Sequence, residues 1–389
     1  MTRLFPPLAK ETRRALDTLQ GLIEKTFPLP ARFRRALPAE TAALSRLLRT
    51  GAEERRRDYL SRPGNLSAYL RYFLPWNVYR LCRLLPALPL DLPDDAAVTE
   101  LGAGPLSFAI ALFIARPELR SRRLDFRCVD LSGPALEAGK ALFSALSGAF
   151  AGPGGAPPWR IKTIRCGLWD EVRGSRAALT VSVNVWNECF PPAREPERGF
   201  LAPFAAKAAR RLDTLCAEGG RILAVEPGIP RAGEFIALLR ESLLALGRPP
   251  LAPCTHREPC AMPGGAPENA PWGKSKWCHF AFDTEGAPPA LEALSMAAGL
   301  PKERGVLSFL LTGAGAAPRP DSLRVQSDAF ALPEGLQGRY ACGKDGLVLL
   351  RGSPRRVSRL HPGTLVRGAP SAAHDAKTGA LVVSDWEDG

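Results

Sequence analysis

The sequence predicts an α/β protein. A doubly wound, Rossmann-like domain is preceded by a basic helical region and followed by a cysteine-rich loop and a β-rich end. Three observations carry that expectation. Short apolar, β-branched runs (AAVTEL, LDFRCVDL, ALTVSVNVW and GRILAVEPG) alternate with helical segments from Ala96 onward, the pattern of parallel strands joined by crossover helices. Glycines follow the first run directly, and an acid ends the second. Beyond Leu251 the periodicity dissolves into loops, then resumes as strands in GVLSFLLTG, SLRVQSDAF, RYACGKDGLVLLRG and GALVVSDW. The expected divisions are 1–93 (basic helical region), 94–250 (Rossmann-like domain), 251–300 (cysteine-rich loop) and 301–389 (β-rich region).

A chain of 389 residues with 46% hydrophobic content can bury two or three cores. It has no uncharged apolar run of about 18 residues, so a membrane span is not expected. The segment MTRLFPPLAKETRRALD lacks the apolar centre of a secretory signal, and Glu11, Asp17 and Glu24 suit a transit peptide poorly. A reducing compartment is therefore expected, in which the nine cysteines are free thiols or metal ligands. The net charge of +13 is uneven: residues 1–90 carry 17 Lys/Arg against seven Asp/Glu. Such a concentration of charge suits a polyanion such as nucleic acid; the plainer alternative is a solvated basic surface.

Within 1–90, ETAALSRLLRTGAEERRRDYL places Leu44, Leu47 and Leu48 at helical spacing. LSAYLRYFLPWNVYRLCRLLPAL then interleaves Tyr69, Tyr72, Phe73, Trp76 and Tyr79 with Arg71, Arg80 and Arg83. Pro75 must kink or split that helix. Core packing is the favoured reading of the aromatics, and the arginines between them keep an RNA surface in play.

The first strand ends in VTELGAGPLSFAIAL. Glycines between a strand and a helix let the backbone approach a ligand. Gly102 and Gly104 start a dinucleotide fingerprint, but its third glycine is missing. Glu100 before the glycines suits the E-x-G-x-G loop of S-adenosylmethionine proteins. Asp130, at the tip of the next strand, could accept both ribose hydroxyls, or merely cap the helix of DLSGPALEAGK. Trp169 and Asp170 in IRCGLWDEV fall beside the adenine position, and Asn187 and Glu188 in VNVWNECF fall where an acceptor group would approach. The Asn/Asp-Pro-Pro-aromatic motif of amino methyltransferases is absent there, and Cys189 reads as a buried thiol rather than a nucleophile. The stretch GAFAGPGGAPPW reads as a flexible insertion. PWGKSK imitates the end of a P-loop, but Glu268 replaces the required glycine.

Three thiols remain in a turn-rich stretch: Cys254 and Cys260 in PCTHREPCAMPGG, and Cys278 in KWCHF. Cys342 in GRYACGKDG could return to the same place. Four thiolates suit zinc or an iron–sulfur cluster. Paired C-x2–4-C spacings, the commoner zinc pattern, are missing, and irregular spacing sits better with a cluster. His256 is an alternative fourth ligand; His279 adjoins Cys278 too closely to share its metal.

RILAVEPGIPRAGEFIALLRESLL, LAPCTHREPC and KWCHFAF resemble the methyltransferase-like small-subunit ribosome assembly proteins, comprising mitochondrial factors and their bacterial homologues. LSAYLRYFLPWNVYRL, ELGAGP, NVWNE and LSFLLTG resemble them in the same order, over residues 30 to 352. The resemblance implies a class I methyltransferase-like fold and a [4Fe–4S] cluster held by Cys254, Cys260, Cys278 and Cys342. Two departures from that family stand out: the segment GGAPENAPWG looks like an insertion between two of those ligands, and Leu106 in the glycine loop occupies a place where the family would have a small residue. The implied function is assembly of the small ribosomal subunit, with its rRNA and the maturing particle as partners, no membrane, and a monomer when free. S-adenosylmethionine would bind at Glu100, Gly102, Gly104, Asp130, Trp169 and Asp170. The alternatives are an active S-adenosylmethionine-dependent rRNA methyltransferase and a cluster-based iron or redox sensor. The compartment expected is the bacterial cytoplasm, with the mitochondrial matrix as alternative.

Overall fold

The computed structural model describes residues 3–49, 59–151, 155, 158–190, 199–262, 276–315 and 321–389. The charged 52–58 segment, the GGAPENAPWG insertion, most of PWGKSK and part of the Gly/Pro insertion before Trp159 lie outside the described residues.

Two amphipathic helices open the chain, α1 (Lys10–Thr26) and α2 (Ala31–Arg49). On α1, Leu16, Leu19 and Ile23 recur at helical spacing and are buried. Next, α3 (Pro63–Ala68) leads through a π-helical turn at Tyr69–Phe73 into α4 (Leu74–Leu84). The break expected at Pro75 takes this form: its ring crowds the preceding turn and it has no N–H to donate, and the widened turn absorbs both.

Three of the five interleaved aromatics are core. Tyr72, Trp76 and Tyr79 are buried, and the Trp76 indole donates to Ser295 Oγ at 3.1 Å. Two of the interleaved arginines turn inward as well. Arg71, 2% exposed, pairs with Glu24 at 2.9 Å, and Arg83, 1% exposed, pairs with Asp283 at 3.0 Å. Polyanion docking through Arg71 and Arg83 is thereby corrected, because both guanidinium groups are neutralised inside the fold. The exposed cations of this region include Arg32, Arg34, Arg35, Arg46 and Arg49 on α2.

The central sheet comprises β1 (Ala96–Leu101), β2 (Leu124–Asp130), β3 (Trp159–Arg165), β4 (Ala177–Val183), β5 (Cys216–Pro227), β6 (Pro250–Ala252), β7 (Phe280–Asp283) and β8 (Arg304–Gly313). Its helices are α5 (Ser107–Ala115), α6 (Gly133–Ala149), α7 (Leu201–Leu215), α8 (Pro230–Ala245) and α9 (Pro289–Ala297). The order is β3-β2-β1-β4-β5-β8-β6. β1 to β5 are parallel neighbours, and β8 enters antiparallel between β5 and β6. That order, with one reversed strand slotted in next to last, is the methyltransferase-like variant of the Rossmann fold expected from the sequence. All nine residues of α5 are buried, because the sheet covers one side and α4 packs on another.

The sheet reaches past the boundaries drawn from sequence. β7 and β8 belong to it although 251–300 reads as loop and GVLSFLLTG as part of the last region. β6 and β7 lie end to end along the outer edge of β8, at Leu311–Thr312 and Arg304–Leu307 respectively. The cysteine loop leaves the sheet edge after one and re-enters at the other.

A second sheet follows, made of β9 (Ser322–Val325), β10 (Phe330–Ala331), β11 (Gln337–Gly343), β12 (Gly346–Gly352), β13 (Leu365–Arg367), β14 (Leu381–Val383) and β15 (Glu387–Asp388), with the short α10 (Pro354–Val357). Its order is β14-β12-β11-β9-β13-β15, with β10 on β11. Val325, Ala341, Val348, Leu350, Val357 and Val383 form its own core. Among the described residues, no helix is long and apolar enough to cross a membrane.

Candidate functional site

A cavity of about 880 Å³ opens at the carboxyl ends of β1 to β4, where strand order reverses and ligands of open α/β sheets bind. Gly102, Gly104, Asp130, Trp169, Asp170 and Glu188 all line it. Gly102 and Gly104 take positive φ angles of 68° and 51°. A Cβ on Gly102 would stand 2.2 Å from Val185 Cγ2, whereas one on Gly104 would meet no atom within 4 Å. The first glycine is thus demanded by packing and the second leaves its space open. Asp130 ties the two strand tips together: Oδ2 accepts from Gly104 N–H and Oδ1 from Ser132 N–H, each at 2.8 Å. Burial pushes its carboxyl up, and these N–H donors oppose the rise. Each oxygen keeps a second lone pair for a ligand hydroxyl.

Trp169 is 39% exposed and forms one wall, with its ring edge-on to Phe204 and the Lys207 ammonium 4.2 Å from its centroid. Asp170 Oδ2 accepts from Gly167 N–H at 2.6 Å. Three carboxylates, Asp130, Asp170 and Glu188, face the cavity against Lys207, a balance that suits a cationic ligand.

Two residues assigned to this pocket from sequence stand elsewhere. Glu100, 1% exposed, lies beneath the glycine loop and accepts from Phe108 N–H at 3.2 Å, holding the start of α5. Burial raises its carboxyl to about 8, against the pull of the Phe108 and Ala109 amides. Asn187 is absent from the cavity wall. With its amide nitrogen inward, it donates to Glu226 Oε2 at 2.8 Å and to the Asn184 carbonyl at 3.1 Å. Leu106 also turns away: it adopts φ 60° and packs against α6, where Gly139 makes room, since a Cβ there would lie 2.7 Å from Leu106 Cδ1.

The N-terminal region supplies wall residues that sequence reasoning missed. Tyr59, Leu60 and Tyr69 line the cavity, and the Tyr59 hydroxyl donates to Glu188 Oε1 at 3.1 Å. In the sequence the only trace near Tyr69 is the helix break that Pro75 demands; the structure gives that break the form of a π-helical turn, a form that gathers at functional sites.

A second, small cavity is lined by Cys254, Cys260, Cys278 and Cys342 together with Thr255, His256 and Arg324. Cys254 follows β6, Cys278 precedes β7, and Cys342 arrives on β11 of the other sheet, directly opposite Arg324. The His256 Nε2 to Cys342 Sγ distance is 3.6 Å. Burial raises all four thiols, Cys260 to about 11.

Two buried guanidinium groups flank them. Arg240 sits beside Cys254 and donates to the carbonyls of His256 at 3.0 Å and Glu258 at 2.6 Å. Arg324 donates to the carbonyls of Pro253 at 3.0 Å and Gly363 at 2.8 Å, and burial lowers it to about 10 against the pull of three of the thiols. Thr255 Oγ1 is buried without a partner among the described residues. Cations and an unanswered hydroxyl around four sulfurs fit an anionic thiolate-bound group. Among the described residues, no three His, Cys, Asp or Glu side chains form a group able to hold one metal ion.

No family model matches the chain, and no curated protein matches it. Among solved structures, it is similar to a methyltransferase from Pyrococcus furiosus, at 12% identity over 41% of this chain and 68% of that one, with a TM-score of 0.29. It is also similar to geranyl diphosphate C-methyltransferase from Streptomyces coelicolor, at 12% identity over 57% of this chain and 74% of that one, with a TM-score of 0.28. Likenesses this distant add nothing to what the strand order already establishes.

Proposed function

We propose that this chain is a methyltransferase-like assembly factor of the small ribosomal subunit. In this reading S-adenosylmethionine binds in the glycine-loop cavity, and a [4Fe–4S] cluster is held by Cys254, Cys260, Cys278 and Cys342. The observation that carries the reading is the meeting of four thiols, from two loop ends and a separate sheet, around one cavity flanked by Arg240 and Arg324. A cluster is favoured over zinc by the irregular spacing of the cysteines, which lacks the paired C-x2–4-C of the commoner zinc sites. The exposed arginines of α2 offer a surface to rRNA phosphates.

In the glycine-loop cavity, Asp130 would accept ribose hydroxyls, the Gly102–Gly104 backbone would pass close under the ligand, and Trp169 would cover the adenine. Bound there, S-adenosylmethionine supplies an electrophilic methyl group. Glu188, held by the Tyr59 hydroxyl, would face an incoming acceptor. That contact favours a second reading, an rRNA methyltransferase working mainly by positioning.

One experiment separates these readings. Anaerobically purified protein is incubated with methyl-labelled S-adenosylmethionine and small subunits from cells lacking it, beside an Asp130→Ala control. Protein bound to the particle without label in the RNA supports the assembly factor. Label that depends on Asp130 makes the chain an enzyme. Neither binding nor label overturns both.

A further inference from the structure

Trp277 adjoins the thiol cavity through its chain neighbour. It immediately precedes Cys278, and its indole N–H donates to the Gly228 carbonyl at 3.2 Å. Its ring lies on the α8 backbone at Gly233, where a Cβ would come within 2.6 Å of Trp277 Cδ1. Two residues before Gly228, the fully buried Glu226 accepts from Trp186 N–H through Oε1 at 3.0 Å and from Asn187 N–H through Oε2 at 3.1 Å. Those amides hold the turn whose residues Asn184, Val185, Glu188 and Cys189 line the cofactor cavity. A parallel link exists. Ser308, opposite Glu226 in β8, donates its hydroxyl to the Cys278 carbonyl at 2.8 Å. Cys278 is therefore tied, through Trp277 to Gly228 and through Ser308, the backbone partner of Glu226, to the strand that carries this carboxyl.

We propose that filling the thiol cavity sets the affinity of the cofactor cavity, with Trp277, Ser308 and Glu226 acting as positioning residues for the 184–189 turn. This rests on the reading that the four cysteines hold a metal group. Drawing Cys278 onto a shared group fixes Trp277 against Gly228 and Gly233, which fixes β5 beneath the turn. The turn's backbone then stays where a nucleoside cofactor meets it. Coupling of this kind is reciprocal, so cofactor binding would equally favour retention of the metal group.

The test compares the full chain, reconstituted with iron and sulfide or stripped by chelator, as wild type, Trp277→Phe, Ser308→Ala and the double variant. Phe keeps a ring on Gly233 but cannot donate to Gly228. Three readouts are taken: iron content, titration with S-adenosylmethionine, and amide hydrogen exchange over 183–190. In the wild type, loading should slow exchange over 183–190 and tighten cofactor binding about tenfold, within the usual range of allosteric coupling. In the double variant, iron content should hold while both differences shrink toward none. Equal exchange and affinity in loaded and stripped wild type would overturn the proposal, as would an unchanged response in the double variant. If the cofactor does not bind, the exchange difference alone decides. Ser308→Ala decides alone if Trp277→Phe cannot load iron. Failure of the wild type to take up iron would overturn the cluster reading and this proposal together; uptake without coupling would overturn the coupling only.

Discussion

Gly102 and Gly104 both belong to the glycine loop, yet alanine at each should fail in a different way. Both positions have positive φ, where a side chain costs about 1–2 kcal/mol. At Gly102 the new Cβ would also fall 2.2 Å from Val185 Cγ2 and 2.5 Å from Val185 Cβ, so the 184–189 turn must move, adding about 1–3 kcal/mol of overpacking. Gly102→Ala should therefore lose about 2–5 kcal/mol, whereas Gly104→Ala should lose only the backbone share. For an α/β unit of roughly 200 residues, each kcal/mol lowers the melting temperature by about 2–4 °C. The expected falls are about 4–20 °C for Gly102→Ala and about 2–8 °C for Gly104→Ala. Ligand binding should sort differently, because the Cβ on Gly104 enters open cavity. Gly104→Ala should weaken S-adenosylmethionine binding about tenfold, equal to about 1.4 kcal/mol. Calorimetric melting and titration of both variants decide the matter. A Gly104→Ala protein that melts lower than Gly102→Ala, or that binds the ligand as well as wild type, would mean that contact with Val185 and open space at Gly104 are not what separates the two glycines.

Three further expectations follow from the same geometry. Glu100 is raised to about 8 from an ordinary 4.5, so the folded state prefers it protonated. Its contribution to stability is complete below about pH 4.5 and is lost as pH rises toward 8, by up to about 1.4 kcal/mol per pH unit; Glu100→Gln should flatten that part of the melting-temperature profile, and superimposable profiles would contradict the sign. Trp169→Ala should weaken S-adenosylmethionine binding roughly 5- to 150-fold, the worth of one aromatic stack of about 1–3 kcal/mol, with little change in melting temperature. Arg324→Met should lower the melting temperature of metal-loaded protein more than that of stripped protein, since the guanidinium faces the thiols as well as two carbonyls; equal losses would make Arg324 purely structural.

The α/β order was legible because its signals are local. Gly102, Gly104, Asp130 and Trp169 fall on successive strand tips, and a parallel sheet brings strand tips to one edge whatever the loops do. The limits of the sheet were not legible. β6 and β7 are only three and four residues long, too short to show a period, and β8 reads the same whether it joins the first sheet or the second. Asn187 was misplaced because its side chain is drawn inward by Glu226, a carboxyl distant in sequence. The thiol constellation was read from four cysteines, but Arg240 and Arg324 were missed. A faint trace existed for Arg240, which continues the small-residue face of Gly233 and Ala237 on α8, a face that a surface arginine would not share. The interior roles of Arg71 and Arg83 had no signal in periodicity, because their partners Glu24 and Asp283 lie in other elements.

The most direct test of the account is the metal content of protein purified without oxygen. About four irons and four acid-labile sulfides per chain, with a broad thiolate-to-iron absorption that disappears in Cys254→Ser and Cys342→Ser, is the predicted result. A chain that retains a single zinc, or folds and melts identically with all four thiols free, would contradict it.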